Sequence, residues 1–302
     1  YRINQKEGKF DYITPKALKG EKPYRFNWQT PILLSSHNQD ILYMGSEFLH
    51  RSMNQGETWE RISDDLTNGT KEGNVAFGTI STISESKFQF GLLYTGSDDG
   101  KIHVSKDGGV SWQLISGNLP QNLWVSRVVA SSHKKERVYV TLNGYRNDIF
   151  ESYAFVSEDF GTTWTSISNG LTQAVNVIVE DSANENILYV GTDNGLFISL
   201  DKGSTWQDFS NGMPNVAVHD VVIQTKAKEL IVGTHGRSIY KIDISKVQEV
   251  TKEVLAKNLH LFKVNDRTKS DRWGSQNYAW GKASEPSQDI WFYSNVDGMV
   301  NV

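Results

Sequence analysis

The sequence predicts an all-β protein of the propeller class, built from repeated four-stranded blades. Three observations support this prediction: a turn motif that recurs four times, a strand pattern that recurs five times, and an unusual composition. The chain of 302 residues has 25 Gly, 9 Trp and 12 Tyr but only 6 Pro. Glycine and aromatic residues in this proportion are typical of many short strands joined by tight turns.

The turn motif reads S-x-[DN]-x-G-x-[ST]-W and recurs at roughly 40–50 residue intervals, the length of a propeller blade. An Asp or Asn side chain caps backbone N–H groups, Gly supplies a positive φ, and Trp provides a large apolar body to bury. We therefore expect the motif to lock turns and not to bind a ligand. The residues concerned are Ser52, Asn54, Gly56, Trp59, Ser105, Asp107, Gly109, Trp112, Ser157, Asp159, Gly161, Trp164, Ser199, Asp201, Gly203 and Trp206.

A second pattern precedes each motif copy. A Leu-Tyr-like strand starts at Leu42, Leu93, Val138, Leu188 and Leu230, and another apolar run lies about eleven residues before its tyrosine position. Together these features predict five blades with strands A to D in chain order. The fifth blade has no motif copy.

The repeats end near residue 243, which predicts a propeller over residues 1–243 and a separate segment over residues 244–302. Residues 245–257 have the apolar spacing of an amphipathic helix, with Val247, Val250 and Val254 on one face and Ser245 as the N-cap. A strand is predicted over residues 259–264, a polar loop with Trp273 and Trp280 over 265–288, and two strands over 289–302. We expect these tryptophans and Tyr278 to pack against the propeller, although they could also stack on sugars.

Composition excludes several classes of function. The 31 Lys and Arg against 35 Asp and Glu give a net charge of −4, unlike the basic surface of a nucleic-acid-binding protein. The mean hydropathy is −0.46, and no stretch reaches the ~20 apolar residues of a membrane-spanning helix. No cysteine is present, and no nucleotide-binding or catalytic signature motif occurs. His219 and His235 form one plausible zinc pair but have no third ligand, so we expect no metal and no cofactor.

The motif copies resemble the Asp boxes, or bacterial neuraminidase repeats, of sialidases, two-propeller xyloglucanases and sortilin-type receptors. Further segments resemble sortilin-like and glycosyl-hydrolase-type repeat proteins exported by bacteria: 26–31 (FNWQTP), 78–80 (GTI), 124–127 (WVSR), 144–148 (GYRND), 218–220 (VHD) and 233–238 (GTHGRS). The resemblance covers residues 24–243 and implies a secreted or cell-surface β-propeller. Such proteins usually carry seven to ten blades per ring. We therefore expect this chain to be a piece of a longer polypeptide with further blades before Tyr1, followed by the start of an immunoglobulin-like β-sandwich.

Blade topology identifies the candidate site. The loops entering strand A and the B–C turns share one face of a propeller, where strand A lines the central channel. On this face the strand-A column contains Thr30, Ser81, Thr82, Ser126 and Asn176, and the B–C turns contain Glu47, Asp98, Asp99, Asp193 and Asn194. An insertion over residues 143–148 interrupts the third blade, and loop insertions often carry function. The candidate ligand-binding residues on this face are Arg127, Tyr145, Arg146, Asp148, His219, Asp220, His235 and Arg237.

Several of these residues also have structural interpretations. Arg127 could bridge neighbouring blades, the two histidines with Asp220 and Arg237 could close the ring, and Asp98, Asp99 and Asp193 fit turns. Trp28 is expected in the core in preference to a sugar platform.

The candidate residues on this face, which we call the rim, suggest three functions. The favoured one is a binding module that recognises a glycan or peptide there. The alternative is a xyloglucanase-like or sialidase-like glycoside hydrolase with Asp148 or Asp220 as catalytic carboxylates, and the third is a non-catalytic assembly scaffold. Arg127, Arg146 and Arg237 could mimic a sialidase arginine triad, but the Arg-Ile-Pro start motif and an identifiable Tyr–Glu pair are missing.

Overall fold

The computed structural model describes residues 1–71, 73, 75–264, 266–276, 278–296 and 298. The chain divides into two compact units, Tyr1–Ile242 and Asp243–Val302.

The first unit contains five antiparallel sheets that follow one another along the chain, preceded by a hairpin. The hairpin comprises β1 (Arg2–Asn4) and β2 (Lys9–Asp11). Blade 1 comprises β3 (Ile32–Leu34), β4 (Leu42–Gly45), β5 (Leu49–Ser52) and β6 (Glu60–Arg61). Blade 2 comprises β7 (Ile80–Glu85), β8 (Leu93–Ser97), β9 (Ile102–Ser105) and β10 (Gln113–Leu114).

Blades 3 to 5 repeat this arrangement. Blade 3 comprises β11 (Trp124–Ala130), β12 (Val138–Asn143), β13 (Tyr153–Ser157) and β14 (Thr165–Ser166). Blade 4 comprises β15 (Val175–Glu180), β16 (Leu188–Thr192), β17 (Gly195–Ser199) and β18 (Gln207–Asp208). Blade 5 comprises β19 (Val218–Gln224), β20 (Glu229–Thr234) and β21 (Ile239–Asp243). We refer to the strands of each blade as A to D in chain order.

Strand order confirms the predicted blades. Blades 1 to 4 are four-stranded with neighbouring strands in chain order, whereas blade 5 has three strands. Blade 5 is also the repeat that lacks the turn motif, so the missing motif and the missing fourth strand coincide. Closure of the blades into a ring is not detected among the described residues.

The hydrophobic core lies between successive blades. One cluster joins Tyr43 and Ile62 of blade 1 to Ile80 of blade 2, and similar clusters join blade 2 to blade 3 and blade 3 to blade 4. The strand-B tyrosines Tyr43, Tyr94, Tyr139 and Tyr189 are all fully buried. Because each sheet buries its faces against its neighbours, the blades stabilise one another.

Two of these tyrosines donate a hydrogen bond into the next blade. Tyr43 donates to Glu85 and Tyr139 donates to Glu180, each at 3.0 Å. Burial, and then the adjacent Glu85, raises the pKa of the Tyr43 hydroxyl. At the blade 2–3 interface the corresponding strand-A position is Ala130, and the Tyr94 hydroxyl has no hydrogen-bond partner among the described residues.

The four motif copies form the same hydrogen-bonded turn. In the second copy Ser105 Oγ accepts from the Gly109 amide at 2.8 Å, and Asp107 Oδ1 accepts from the Ser111 amide at 2.9 Å. Hydrogen bonds from Ser111, and then Ser105, lower the pKa of Asp107 to about 2. These bonds commit the carboxylate to the turn.

Each motif also holds the preceding strand D. The indole N–H of Trp112 donates to the backbone oxygen of Ile62 at 2.9 Å. Equivalent bonds join Trp164 to Ile115 at 2.8 Å and Trp206 to Ile167 at 2.7 Å. The motif glycine lies directly over the side chain of the same isoleucine, so that a Cβ on Gly109, Gly161 or Gly203 would come within 3.0 Å of it.

Blade 1 is held by the N-terminal hairpin in the same way. Trp59 donates its indole N–H to the backbone oxygen of Ile13 at 2.6 Å, and Gly56 lies over the Ile13 side chain. Ile13 follows β2 closely, just as Ile62 follows β6. The hairpin therefore takes the position that strands C and D of a preceding blade would take.

The second unit departs from the predicted single helix over 245–257. A 3₁₀ turn spans Val247–Glu249, Val250 is extended, and α1 spans only Lys252–Leu255. Thr251 caps α1 by accepting from the Val254 amide, so the prediction that Ser245 is the N-cap is wrong. Two adjacent β-branched residues, Val250 and Thr251, disfavour a continuous helix, and the Thr251 hydroxyl favours the start of a new one.

The remaining strands of this unit are short. β22 (Leu259–Leu261) pairs with β23 (Phe292–Ser294), so the strand predicted over 259–264 is shorter than expected. One of the two strands predicted over 289–302 is present, and the other involves residues outside the described part of the chain. Between them, Tyr278 and Trp280 are exposed and stack on each other with centroids 5.3 Å apart.

A glycine pair tests the contact between motif and isoleucine. A Cβ added to Gly161 (φ +87°) would overlap the Ile115 side chain, whereas Gly170 (φ +89°) has open space around it. Gly161→Ala and Gly170→Ala share the same ~1–2 kcal/mol conformational cost, and Gly161→Ala adds about 1–3 kcal/mol of overpacking. Urea denaturation measures the difference. Equal losses of unfolding free energy in the two variants would contradict a close contact between Gly161 and the Ile115 side chain.

Acid sensitivity tests the buried histidines. Burial is the main cause that lowers the pKa of His50 and of His103 to about 4, while an unfolded histidine titrates near ~6.5. As pH falls from ~6.5 to ~4 the unfolded state takes up these protons first, so the free energy of unfolding falls by about 1.4 kcal/mol per pH unit for each histidine. Urea midpoints of the wild type and of the His50→Gln, His103→Gln double variant measure this, and equal pH slopes would contradict it.

Candidate ligand-binding site

A cavity of about 840 Å³ lies at the starts of the five A strands, which we call their inner ends. The elements that line it are the starts of the A strands and the B–C turns, on the face predicted from the topology. Its polar lining residues are Gln29, Ser81, Thr82, Ser126, Arg127, Asn143, Tyr145, Arg146, Asn176, Asp193, His219, Asp220 and His235.

A β-bulge shapes this lining. In blades 2 to 5 the pairing of strand A with strand B shifts register at one residue near the start of strand A. The bulged residues are Ser81, Ser126, Asn176 and His219, and all four line the cavity. A bulge re-aims the extra side chain relative to a regular strand, so the repeated backbone presents serine in blades 2 and 3, asparagine in blade 4 and histidine in blade 5.

The first two bulged residues are held by neighbouring blades. Ser81 Oγ donates to the Val125 oxygen at 2.7 Å, and Ser126 Oγ donates to the Val175 oxygen at 3.0 Å. Their hydroxyls therefore stabilise the blade interfaces as well as lining the cavity.

Asn176 belongs to an amide–carboxylate chain. Its Oδ1 accepts from Asn143 Nδ2 at 2.8 Å, and its Nδ2 donates to Asp193 Oδ1 at 2.9 Å. These three residues come from two different blades. Asp193 was expected to serve turn chemistry, but in the structure it is part of this cavity-lining chain.

Arg127 and Asp220 form an ion pair between blades 3 and 5. Arg127 Nη2 lies 2.6 Å from Asp220 Oδ1, and both side chains remain partly exposed. Asp220 Oδ1 also accepts from the Val221 amide at 3.0 Å. The pair connects strands A that are separated by the whole of blade 4.

His219 and His235 lie side by side in blade 5, with ring centroids 5.1 Å apart. Burial is the main cause that lowers the pKa of His219, and His235 lowers it further, whereas Asp193 acts in the opposite direction. His219 therefore takes up a proton less readily than an isolated imidazole. Among the described residues, no group of three His, Cys, Asp or Glu side chains could hold a metal ion.

The insertion in blade 3 folds as a compact turn. Residues Tyr145–Asn147 form a 3₁₀ helix, and the amides of Asn147 and Ile149 both donate to the Gly144 oxygen. This turn places the Arg146 guanidinium over the Trp124 ring, with its carbon 3.7 Å from the ring centroid. Trp124 also lines the cavity, which was not predicted from the sequence.

Six of the eight candidate ligand-binding residues line the cavity, and Asp148 and Arg237 do not. Asp148 takes a left-handed conformation (φ 56°) that ends the 3₁₀ turn, so its weak candidacy as a catalytic residue has no support from the cavity geometry. Since Arg237 lies outside the cavity lining, the three arginines do not form a triad there.

Other rim predictions are corrected or refined. Trp28 is not in the core: its side chain is 86% exposed. The neighbouring Asn27 points inward instead and donates to Thr79 and Asp98. Glu47, Asp98 and Asp99 are buried. Burial raises the pKa of Asp98 while bonds from Thr79 oppose the shift, and its carboxylate accepts hydrogen bonds from Thr79 and Asn27, which lie outside its own turn.

Sequence reasoning missed the apolar part of the lining, which consists of Pro31, Ile32, Leu33, Ile83 and Ala217 besides Trp124. The alternation of apolar and polar residues along the A strands is the sequence signal that could have identified these residues. The described part of the chain has no helix that is long and apolar enough to cross a membrane.

Comparison with known proteins supports the same class. The Sortilin-Vps10 family model (sortilin, neurotensin receptor 3) matches residues 47–173, less than half of the chain. No curated protein is significantly similar to the sequence.

Three solved structures illustrate the fold. A GH74 enzyme of Niastella koreensis is 21% identical, with a TM-score of 0.54 over 70% of this chain and 36% of that one. An ancestral GH74 enzyme is 16% identical, with a TM-score of 0.58 over 92% and 40%. The Cps50 β-propeller domain of Myceliophteria thermophila is 14% identical, with a TM-score of 0.54 over 74% and 67%.

The fold and the comparisons define this protein as a β-propeller. They confirm its resemblance to sortilin-like and glycosyl-hydrolase-type propellers. The chain spans two fifths or less of the length of the two GH74 structures.

A double-mutant cycle tests the Arg127–Asp220 pair. Because both side chains are partly exposed, Arg127→Ala and Asp220→Ala should be coupled by only about 0.2–1 kcal/mol in the free energy of unfolding. The coupling should weaken in about 0.5 M salt. Thermal or urea unfolding of the four proteins measures it, and a coupling of several kcal/mol would instead show that the pair locks the blades together.

Proposed function

We propose that this protein is a binding module that captures a glycan or peptide in the cavity at the inner ends of its A strands. The main support is the state of the cavity carboxylates. Among the described residues these are Asp193 and Asp220, and each is engaged by a neighbouring side chain at 2.6–2.9 Å.

Hydrolysis of a glycoside requires an acid and a second carboxylate on opposite sides of the scissile bond. Asp220 is held by Arg127, and the other predicted catalytic residue, Asp148, lies outside the cavity. The remaining lining combines amide, hydroxyl and imidazole groups with apolar side chains, which suits recognition of a polar ligand.

The fold similarity to GH74 enzymes favours a glycoside hydrolase as the second candidate function. In that case Asp220 would have to be released from Arg127 when substrate binds. The third candidate, a non-catalytic assembly scaffold, requires a protein partner and no small ligand. The resemblance to exported proteins also leads us to propose a secreted or cell-surface location, which fractionation of the producing cells tests.

A binding screen separates these functions. We expect a member of a panel of oligosaccharides and peptides to bind saturably and to be recovered chemically unchanged. Asn176→Ala breaks the Asn143–Asn176–Asp193 chain and should weaken binding at least about tenfold, since it leaves hydrogen-bonding groups unpaired. Calorimetric titration measures affinity, and Asn169→Ala, at an exposed turn outside the cavity, is the control.

Two other results would support the alternative functions. Release of reducing sugar that disappears in Asp220→Ala would support the hydrolase. Absence of every small ligand, together with stable capture of a protein through another surface, would support the scaffold.

A further inference from the structure

Arg146 differs from four other arginines of the propeller in having no carboxylate partner in the described part of the chain. The guanidinium groups of Arg25, Arg51, Arg127 and Arg137 are each within ion-pair distance of a carboxylate. Among the described residues no hydrogen bond or ion pair reaches the Arg146 guanidinium. Its contact is the face of Trp124, at 3.7 Å.

Stacking fixes the orientation of this group. A guanidinium that stacks on an aromatic ring through its flat face keeps its N–H donors at the edge, where they can bind a planar oxyanion in bidentate fashion. The compact turn over residues 144–149 holds the backbone that carries Arg146. The donor fork is therefore pre-organised at the wall of the cavity before any ligand binds.

Neighbouring negative charges do not satisfy this fork. Asp98 acts on Arg146 electrostatically, but its carboxylate accepts hydrogen bonds from the Thr79 amide and hydroxyl and from Asn27. Asp193 is bonded to Asn176 and Asp220 to Arg127. The formal charges of the lining balance when the histidines are neutral, with Arg127 and Arg146 against Asp193 and Asp220. Among the described residues, Arg146 is nevertheless the lining cation whose N–H donors no carboxylate accepts, so these donors are available to an anionic group of a ligand.

The rest of the lining indicates which carrier bears that anion. The Asn143–Asn176–Asp193 chain offers side-chain donors and acceptors, which match hydroxyl groups that both donate and accept. Beside Arg146, Tyr145 is 61% exposed and offers an aromatic face. A peptide that binds by strand addition needs a free strand edge. Strand A is the edge strand of each sheet, but on that edge of blade 3 the amides of Val128 and Ala130 already donate to Thr82 and Ser84 of blade 2.

We propose that the cavity binds an acidic oligosaccharide whose uronic-acid carboxylate is held by the edge of the Arg146 guanidinium. This inference rests on the proposed function, because it names the ligand class of the same cavity. One arginine supplies the recognition, since Arg127 is already paired with Asp220 and Arg237 lies outside the cavity lining.

Calorimetric titration of the 302-residue chain with galacturonate, glucuronate and mannuronate oligosaccharides tests this proposal. At least one should bind, and its carboxyl-reduced form, a neutral sugar of the same linkage, should bind more weakly. Arg146→Gln should lower affinity for the acidic form about tenfold to a hundredfold, the value of hydrogen bonds to a charged group. Arg146→Lys keeps the charge but loses the planar fork, so it should also bind more weakly than wild type.

Arg61→Gln is the matched control. Arg61 stacks on Phe48 at 4.7 Å but lies on strand D of blade 1, outside the cavity lining. The affinity of this variant should stay within about twofold of wild type, because no ligand contact is removed. Equal melting temperatures would show that Arg146→Gln folds, and Arg146→Lys provides a second comparison if it does not.

The outcomes are distinguishable. If neutral sugars bind in a manner sensitive to Asn176→Ala but not to Arg146→Gln, this inference fails and the proposed function stands. Tighter binding of a glutamate-rich peptide than of every uronate would overturn the sugar assignment. If no saccharide and no peptide binds, both the inference and the proposed function are wrong.

Discussion

The hydrogen bond from each motif tryptophan to the backbone of the preceding blade is the interaction on which the propeller depends. The indole N–H of Trp112, for example, satisfies the Ile62 oxygen at the end of strand D, while Gly109 leaves room for the Ile62 side chain. A turn with any larger residue at that glycine would hold the isoleucine away. In blades 2 to 4 this contact fixes each blade to the one before it, beside the apolar clusters that lie between the blades. The N-terminal hairpin extends the same contact to blade 1 through Ile13.

A second repeated feature, the β-bulge near the start of strand A, shapes the cavity. The bulge recurs in four blades, but the residue it presents is Ser81, Ser126, Asn176 or His219 in turn. The backbone geometry is constant while the chemistry changes around the channel. Charged groups then enter from the adjacent residues Arg127 and Asp220 and from the insertion that carries Arg146. Part of this lining also holds the blades together, because Ser81 and Ser126 donate to backbone oxygens of the next blade.

Periodic features were predictable from sequence, and local departures from the period were not. The motif predicted the blades because it repeats a complete set of turn contacts, and the topology placed six candidate residues on the cavity lining. The bulges were not predicted, although the extra residue breaks the two-residue alternation of strand A. The buried valines on either side of the bulge are three residues apart in blade 3 (Val125 and Val128) and in blade 5 (Val218 and Val221). Trp28 was misplaced because the inward position belongs to the small polar Asn27, whose amide bonds Thr79 and Asp98. The helix over 245–257 was overestimated because apolar spacing does not register the cost of adjacent β-branched residues or the capping by Thr251.

Blade 3 contributes both to the stability of the propeller and to the lining of the cavity. Its strand A ends at Ala130, so the interface with blade 2 lacks the tyrosine–glutamate bond found at the blade 1–2 and blade 3–4 interfaces. The blade 2–3 interface instead contains the largest of the described apolar clusters, which includes Leu92, Ile115 and Val140. Burial of apolar surface there stabilises the pair, and beside the cavity the Ser81 hydroxyl adds a hydrogen bond to the Val125 oxygen. At the other end of the blade, Arg127 pairs with Asp220, whereas the Arg146 guanidinium stacks on Trp124 and has no ion pair among the described residues, so it remains available for a ligand.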